Sequence, residues 1–380
     1  MASAVDGHCQ ARFAPLMHLF ESLIDSGRDV GASIAVTVDG EMVVDLWGGW
    51  KDEEHTRPWQ QDTIINVWST TKPMVSLLAL MLADRGVIGL DDPVSRYWPE
   101  FAANGKSGVR VRHLLSHSSG VPGWEKPVVT QDLFDWDKCT KLLAAQEPWW
   151  QPGTASGYHA LDFGFLVGEV IRRATGKKPG ELFASEVAKP LGGDFHIGLP
   201  DSEFARVANV IPPADPFDVS GLDHFTVMYR TLSNPALKAS DSWSPEWRRA
   251  DIGACNGHGN ARSVARVQAV VANGGVLDGT RLLSTKMVAR IFELQNNGID
   301  LVLGLPVRMG LGYGLPHPQL TPFIPDGRRC FWGGWGGSLV LVDIEHRMTF
   351  AYVMNKMEGG TVGGANAAEL TTRLYQLIGA

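Results

Sequence analysis

Hydrophobic residues recur with a helical period at the start of the chain and with a strand period directly afterwards. Residues 11–26 place their apolar side chains on one side, which predicts an amphipathic helix. Two apolar runs, 32–38 and 41–46, then flank Asp39-Gly40, a pair typical of a two-residue hairpin turn. The opening therefore predicts a helix followed by a β-hairpin.

The end of the chain mirrors its beginning. Residues 338–342 and 348–354 are apolar runs around a turn at Glu345-His346, and residues 367–378 have the pattern of a closing helix. Neither hairpin alone buries enough apolar surface to be stable. We therefore expect strands from both ends of the chain to share one antiparallel sheet.

Helical patterns dominate the middle of the chain, where they cover 111–115, 135–146, 160–175, 179–187 and 262–272. The simplest architecture is an α+β fold, in which a central antiparallel sheet is flanked by terminal helices and interrupted by a mostly helical insertion. We assign residues 1–85 and 276–380 to the sheet domain and residues 86–275 to the helical domain. A ligand site is expected in the cleft between them.

Composition narrows the class of protein. The 380 residues, 44% of them hydrophobic and 20% charged, fit a globular protein of one large or two interlocked domains. A formal net charge of −7 argues against a nucleic-acid partner. No apolar run approaches the roughly 18–20 residues that span a bilayer. The first eight residues also lack the basic start and apolar core of a signal peptide.

The four cysteines are scattered along the chain, at Cys9, Cys139, Cys255 and Cys330. They lack metal-type spacing, and so few cysteines in a long chain favour reduced thiols. We expect a cytoplasmic protein.

The segment 68–73, Trp-Ser-Thr-Thr-Lys-Pro, carries the strongest chemical signal. An apolar helical pattern follows it, so Ser69 is predicted near a helix start with Lys72 on the same face, at about 5–6 Å between Cβ atoms. Free N–H groups at a helix start stabilise negative charge, and a neutral amine can accept the proton of a serine hydroxyl. This arrangement favours a serine acyl enzyme. The pattern is short, however, and about one match is expected by chance, with serine as an ordinary N-cap and lysine as a solvated residue.

Two further motifs follow in order: Gly157-Tyr158-His159-Ala160 and Trp332-Gly333-Gly334-Trp335. Together with supporting stretches at 90–94, 113–120 and 151–153, they make the chain resemble the serine β-lactamase superfamily, and within it the class C-like family VIII carboxylesterases. The resemblance covers nearly the whole chain. It implies a β-lactamase/transpeptidase-like fold.

The resemblance also implies catalytic roles. Ser69 would be the nucleophile, and Tyr158 would take its proton, which requires adjacent positive charge because tyrosine has a pKa near 10. Lys72 can supply that charge or act as the base itself, and the sequence leaves this open. The backbone N–H groups of Ser69 and Trp335 would form the oxyanion hole. Without the resemblance, Tyr158 would be a core aromatic residue and the Trp332 segment an ordinary strand with a glycine bulge.

Two departures from the β-lactamase pattern bear on the substrate. Trp332 stands where the lactamases have a lysine that helps to bind a carboxylate, and Ala160 stands where they have an asparagine. Both changes favour neutral esters over β-lactams and D-alanyl peptides. The glycines of the motif would let substrate approach the backbone. The expected substrate contacts are Trp332, Gly333, Gly334, His159 and Trp124.

The expected function is hydrolysis of small-molecule carboxylic esters through a Ser69 acyl-enzyme. No metal, other cofactor, nucleic-acid partner or membrane partner is expected. His113 and His117 lie four residues apart without a third ligand, so we expect them to bond local backbone groups. An acyltransferase of the same fold remains open because it shares the first half-reaction. A β-lactamase or D-alanyl peptidase, and a non-catalytic ligand receptor, are less favoured.

Overall fold

The computed structural model describes residues 5–215 and 218–379. Its strands are β1 (Asp6–Cys9), β2 (Gly31–Val38), β3 (Glu41–Gly49), β4 (Ile64–Asn66), β5 (Val207–Ala208), β6 (His258–Gly259), β7 (Val276–Leu277), β8 (Thr280–Arg281), β9 (Asn296–Ile299), β10 (Pro306–Met309), β11 (Gly314–Leu315), β12 (Arg329–Gly333), β13 (Leu339–Asp343) and β14 (Met348–Met354). Its helices are α1 (Ala14–Asp25), α2 (Lys72–Asp84), α3 (Val111–Leu115), α4 (Trp136–Ala145), α5 (Asp162–Thr175), α6 (Pro179–Phe183), α7 (Lys189–Leu191), α8 (Val227–Leu232), α9 (Pro245–Arg249), α10 (Ala261–Ala272), α11 (Thr285–Ile291) and α12 (Ala365–Ile378).

Residues 1–4, 216, 217 and 380 lie outside the described residues. Both outer limits of the predicted sheet domain, residues 1 and 380, are among them, as is part of the N-terminal segment. In the part of the chain that the structure describes, no helix combines the length and the apolar character needed to cross a bilayer.

One large antiparallel sheet joins both ends of the chain. Among the described residues its strand order is β1-β3-β2-β14-β13-β12-β11-β10-β9. Strand β14 pairs with β2 from Met348 opposite Val38 to Met354 opposite Ala32. The prediction that strands from the two ends share a sheet, and with it the α+β class, is therefore confirmed.

The β2–β3 turn shows why the first hairpin could be predicted. Asp39 and Gly40 have φ values of 53° and 86°, so both central residues are left-handed. A two-residue turn of this kind matches the right-handed twist of the strands that it connects, and aspartate and glycine tolerate it best. The local sequence thus determines the pairing next to the turn, and the register shifts once, between Val36 and Thr37.

Helices cover both faces of the sheet. On one face of β14, the hydroxyl of Thr349 donates to the carbonyl of Ala265 in α10 at 3.1 Å. On the opposite face, Tyr352 accepts a hydrogen bond from Asn366 in α12 at 3.5 Å, and α12 packs against α1. Since successive residues of a strand point to opposite faces, β14 is buried on both sides.

The position of helix α10 differs from the predicted division of the chain into a sheet domain and a helical domain. The boundary at residue 275 placed this helix in the helical domain, but α10 packs against β2, β13 and β14. Its apolar residues cover the sheet, so the boundary falls too late for this helix. The helical patterns at 111–115, 135–146, 160–175 and 179–187 are confirmed as α3, α4, α5 and α6, the last continuing through a wider turn to Ala188.

Helix α2 lies between the sheet and the helical region. It contacts α5 and α6 on one side and α10 and β12 on the other. Every residue from Lys72 to Leu82 is buried, as expected for a helix with apolar neighbours all round. Lys72 at the start of α2, and Ser69 in the turn just before it, are consequently surrounded by elements from distant parts of the chain.

Candidate active site

Ser69 lies in a tight turn that leads into α2. The turn covers Trp68–Thr71, and Ser69 is 8% exposed. Trp68 adopts a left-handed backbone with φ of 49°, which is a strained conformation for a large side chain. The hydroxyl of Thr71 donates to the Trp68 carbonyl at 2.6 Å and accepts the N–H of Gly257 at 2.8 Å. The surrounding structure therefore holds the strained turn in place.

Lys72 directs its side-chain nitrogen at the serine. Its Nζ donates to Ser69 Oγ at 3.0 Å, to the Ala160 carbonyl at 2.8 Å and to the Ala254 carbonyl at 3.0 Å. The helical spacing predicted that Ser69 and Lys72 would be neighbours. The two carbonyl partners come from the loops before α5 and β6, and sequence spacing gave no signal for them.

Tyr158 reaches the same oxygen from the segment before α5. Its hydroxyl donates to Ser69 Oγ at 2.6 Å, across 89 positions of sequence. The aromatic ring lies under Lys72, with Nζ 4.6 Å from the ring centroid. The three residues that the sequence analysis named as catalytic thus meet at one oxygen atom.

Burial governs the acid–base properties of the two partners of Ser69. Removal from water lowers the pKa of Lys72 to about 7, and Cys255 and Asp162 act in the opposite direction. Burial also raises the pKa of Tyr158 above its usual value, against the hydrogen bonds with Ser69 and Trp332. Near neutral pH Tyr158 is therefore a phenol, whereas Lys72 gains or loses its proton in that range.

Trp332 contacts the tyrosine rather than the open cleft. Its Nε1–H donates to the Tyr158 hydroxyl at 3.3 Å, the two ring centroids lie 5.3 Å apart, and Trp332 is only 3% exposed. The prediction that Trp332 contacts substrate is wrong for this reason, and Trp332 does not line the cavity beside Ser69. Its contact instead fixes the position of the phenol.

Gly333 and Gly334 are needed for packing within the chain. A Cβ atom on Gly333 would overlap the backbone of Gly363, and one on Gly334 would overlap the Val67 carbonyl oxygen and the Ser338 hydroxyl. We expected substrate to approach these two glycines closely. In the structure, neighbouring backbone occupies that space instead. This contact holds the end of β12 against the residues that precede Ser69.

His159 and Trp124, both predicted to contact substrate, lie outside the cleft. His159 is buried, with Nε2 2.6 Å from the Ser119 hydroxyl and Nδ1 2.7 Å from the Gly157 carbonyl. Trp124 is a core residue, whose Nε1–H donates to the Cys139 carbonyl at 3.1 Å. The two predictions are wrong because adjacency to a motif does not decide which side of the backbone a residue occupies.

His113 bonds a local backbone group, as predicted, whereas the backbone partner of His117 lies 42 residues away in the chain. His113 Nδ1 accepts the N–H of Arg110 at 3.2 Å, and His117 Nδ1 accepts the N–H of His159 at 3.0 Å. Within residues 5–215 and 218–379, no cluster of three or more His, Cys, Asp or Glu side chains is arranged to hold a metal ion.

The backbone N–H groups of Ser69 and Trp335 are both available for an oxyanion. Neither donates a hydrogen bond to a described residue. The half-buried Trp335 side chain packs edge-on against Trp68, with ring centroids 4.9 Å apart. Both residues border the same cavity.

That cavity has a volume of about 810 Å³ and opens beside Ser69 and Tyr158. Among the described residues, no Asp, Glu, Lys or Arg side chain lines it. Its walls are mostly aliphatic and aromatic, and they include Trp68, Leu161, Leu232, Val302, Leu303 and Phe323. The shape and lining suit a neutral apolar ligand.

Asp300 is a site residue that the sequence analysis missed. Its carboxylate accepts the N–H of Tyr158 at 3.0 Å and the hydroxyl of Ser156 at 2.6 Å. It also accepts the N–H groups of Val302 and Leu303, each at 2.9 Å. The segment that carries Tyr158 is thereby tied to a wall of the cavity.

Comparison with known proteins finds similar chains along nearly the whole length of the sequence. The family model described as Beta-lactamase matches residues 16–372. The chain is 36% identical to the esterase/beta-lactamase LipL of Mycobacterium tuberculosis, over 93% of this chain and 83% of that protein. It is 31% identical to the esterase EstB of Burkholderia gladioli, over 70% of this chain and 72% of that protein. A crystal structure of a family VIII carboxylesterase is similar with a TM-score of 0.92 and 40% identity, covering 98% of this chain and 100% of that one.

Proposed function

The chain belongs to the beta-lactamase family, and we propose that it is a serine carboxylesterase that hydrolyses neutral esters through a Ser69 acyl-enzyme. The convergence of Lys72 and Tyr158 on Ser69 Oγ, at 3.0 Å and 2.6 Å, is the observation that carries this proposal. A hydroxyl that contacts both an amine with a pKa of about 7 and a phenol can lose its proton near neutral pH.

In the proposed acylation step, Ser69 Oγ attacks the ester carbonyl carbon and its proton passes to the Lys72–Tyr158 pair, which acts as one base. The tetrahedral intermediate collapses as the bond to the alcohol oxygen breaks and the pair returns the proton to that oxygen. Water then attacks the acyl-enzyme, with the same pair taking and returning a proton. Acid and alcohol are released, and Ser69 regains its hydroxyl.

The proposed oxyanion hole consists of the N–H groups of Ser69 and Trp335. Two observations support this assignment. Neither N–H donates a hydrogen bond to a described residue, and both residues border the cavity. Loss of one such donor typically removes about 3–4 kcal/mol of transition-state stabilisation. Ser69 lies in the turn that leads into α2, so the dipole at the N-terminal end of that helix adds to the same effect.

The proposed preference for neutral substrates rests on the lining of the cavity. A carboxylate that entered it would lose its hydration and meet no lining cation among the described residues. The N–H of Trp332, which occupies the position of the lactamase lysine, already bonds Tyr158. An apolar acyl or alcohol group gains instead from contact with the aliphatic and aromatic walls.

A side-by-side assay of a neutral chromogenic ester and a chromogenic cephalosporin tests the proposal. We expect ester turnover, little or no cephalosporin turnover, and loss of ester turnover in Ser69→Ala. Ser76→Ala is the matched control, because Ser76 is a buried serine of α2 that borders no part of the cavity. Ester hydrolysis at the wild-type rate in Ser69→Ala would refute the mechanism.

An added alcohol distinguishes hydrolysis from acyl transfer. If water is the acceptor, the free acid remains the main product when the alcohol is present. A new ester that forms at the expense of the acid would identify an acyltransferase of the same site.

A further inference from the structure

Exposed apolar side chains are concentrated in one short segment of the chain. Among the described residues, eight large apolar side chains are exposed, and four of these fall between residues 294 and 305. They are Leu294, Ile299, Leu301 and Leu305, with exposed fractions of 49%, 61%, 38% and 41%. Single exposed apolar residues are common on any protein, but a contiguous group of them indicates an interaction surface.

The same segment also forms a wall of the active-site cavity. Val302, Leu303 and Leu305, in the loop between β9 and β10, all border that cavity. Leu305 is therefore both a lining residue and an exposed one. At this residue the apolar surface continues from the cavity to the outside of the molecule.

A second segment adds an exposed aromatic side chain. Phe225 is 91% exposed and lies in the chain between Val219 and Met228, which both border the cavity. A Cβ atom on Gly304 would lie 2.9 Å from Cε of Met228, so the two segments are in contact. We call Phe225, Ile299, Leu301 and Leu305 the apolar rim.

The charges near the rim exclude an anionic partner surface. Within residues 296–305 the one charged residue is Asp300, which is 2% exposed and bonded to Ser156 and to backbone N–H groups. Asp218 and Asp223 precede Phe225, and the whole chain has a formal net charge of −7. A surface that matches the rim is therefore apolar and uncharged.

The cavity also limits what can cover the rim. A protein partner or a second copy that stayed on the rim would cover Leu305 and obstruct the cavity beside it. A surface made of the substrate itself both covers the apolar side chains and supplies the site. Neutral esters apolar enough for these aliphatic and aromatic walls also separate from water into droplets, because both processes remove apolar area from water.

We propose that the apolar rim docks the enzyme on droplets of water-insoluble neutral esters, from which substrate enters the cavity. The inference rests on the proposed ester hydrolysis and names the physical form of its substrate. Docking strength scales with the apolar area that enters the droplet. Burial of one phenylalanine or isoleucine side chain typically strengthens binding by about tenfold or more.

Binding to tributyrin droplets tests the proposal, with centrifugation to separate bound from free protein. The Ser69→Ala protein is used, so that the droplets are not consumed. We expect it to bind, and we expect Phe225→Asn with Ile299→Asn in the same protein to weaken binding by about tenfold or more. Val87→Asn is the matched control and should bind normally. Val87 is 39% exposed and follows the far end of α2, about 20 Å from the site.

Turnover of a dissolved ester shows whether the variants keep an intact site. Phe225 and Ile299 do not border the cavity, so the double variant with Ser69 present should hydrolyse dissolved p-nitrophenyl acetate at the wild-type rate. Its turnover of tributyrin above the solubility limit should fall by about tenfold. If the double variant does not fold, Phe225→Asn alone changes a side chain that is 91% exposed and must weaken droplet binding.

Equal droplet binding by the double variant and by Val87→Asn would overturn the proposal, as would a Ser69→Ala protein that does not bind. A dimer that the double variant loses, seen by sedimentation velocity, would assign the rim to a second copy and also overturn it. Turnover of the dissolved ester without droplet binding would defeat the docking alone. Droplet binding without turnover of any ester would defeat the proposed function instead.

Discussion

Asp300 supports the position of Tyr158 without touching the reacting serine, which makes it an informative residue to replace. It is 2% exposed. Its Oδ1 atom accepts three backbone N–H groups, those of Tyr158 at 3.0 Å and of Val302 and Leu303 at 2.9 Å. Its Oδ2 atom accepts the hydroxyl of Ser156 at 2.6 Å. One carboxylate thus connects the catalytic segment to the cavity wall.

The cost of Asp300→Ala follows from these four donors. A buried donor left without an acceptor costs roughly 1–3 kcal/mol, and the three backbone N–H groups cannot turn away as the Ser156 hydroxyl can. We therefore expect the free energy of unfolding to fall by about 3–6 kcal/mol. Displacement of the Tyr158 phenol from Ser69 should also lower kcat by about 10–100-fold. Asp300→Asn keeps an oxygen for the three N–H groups and should cost about 1 kcal/mol.

Urea unfolding and ester turnover measure the two effects separately. Asp326→Ala is the control, because the Asp326 side chain is 80% exposed and its loss should change neither quantity. If Asp300→Ala unfolds at the same urea concentration as Asp326→Ala and retains wild-type turnover, Tyr158 does not depend on this carboxylate.

Three further predictions concern single contacts. Trp332→Phe removes the N–H that bonds the Tyr158 hydroxyl at 3.3 Å. Steady-state kinetics should show kcat about tenfold lower with little change in KM. An unchanged kcat would contradict the role of Trp332 in positioning Tyr158. Gly334→Ala would push a Cβ into neighbouring backbone and should abolish most ester turnover. Gly298→Ala is the control, because Gly298 faces open space and its substitution should leave turnover unchanged. Burial lowers the pKa of His258 from 6.5 to about 3. The unfolded chain therefore binds a proton at this residue that the folded chain does not, and stability falls as pH drops from about 6.5 to about 3. Urea unfolding at several pH values should show a slope shallower by about 1.4 kcal/mol per pH unit in His258→Asn, and an equal slope would refute the assignment.

Local signals account for the parts of the fold that could be predicted. The Asp39-Gly40 turn requires left-handed residues that its own sequence provides, and the helices carry their periodicity within a few turns. The position of α10 could not be obtained in this way. An amphipathic helix shows which of its faces is buried, and the partner that covers that face lies elsewhere in the chain.

In the candidate site as well, local spacing predicted some contacts, and contacts between distant parts of the chain could not be predicted. Ser69 and Lys72 are three residues apart on one helical segment, so spacing alone predicts their contact. Tyr158 lies 89 positions away from Ser69 and could be named only through the family resemblance. Asp300 is a common residue type without a motif, and its role follows from contacts that exist only in the folded chain.

The central claim is that ester cleavage passes through a covalent acyl group on Ser69. Intact-mass spectrometry of enzyme quenched during turnover of a neutral ester tests it directly, with peptide mapping to locate the added mass. We predict one acyl group on the peptide that contains Ser69, and none in Ser69→Ala. An acyl group on another residue, or full turnover by Ser69→Ala, would contradict the account.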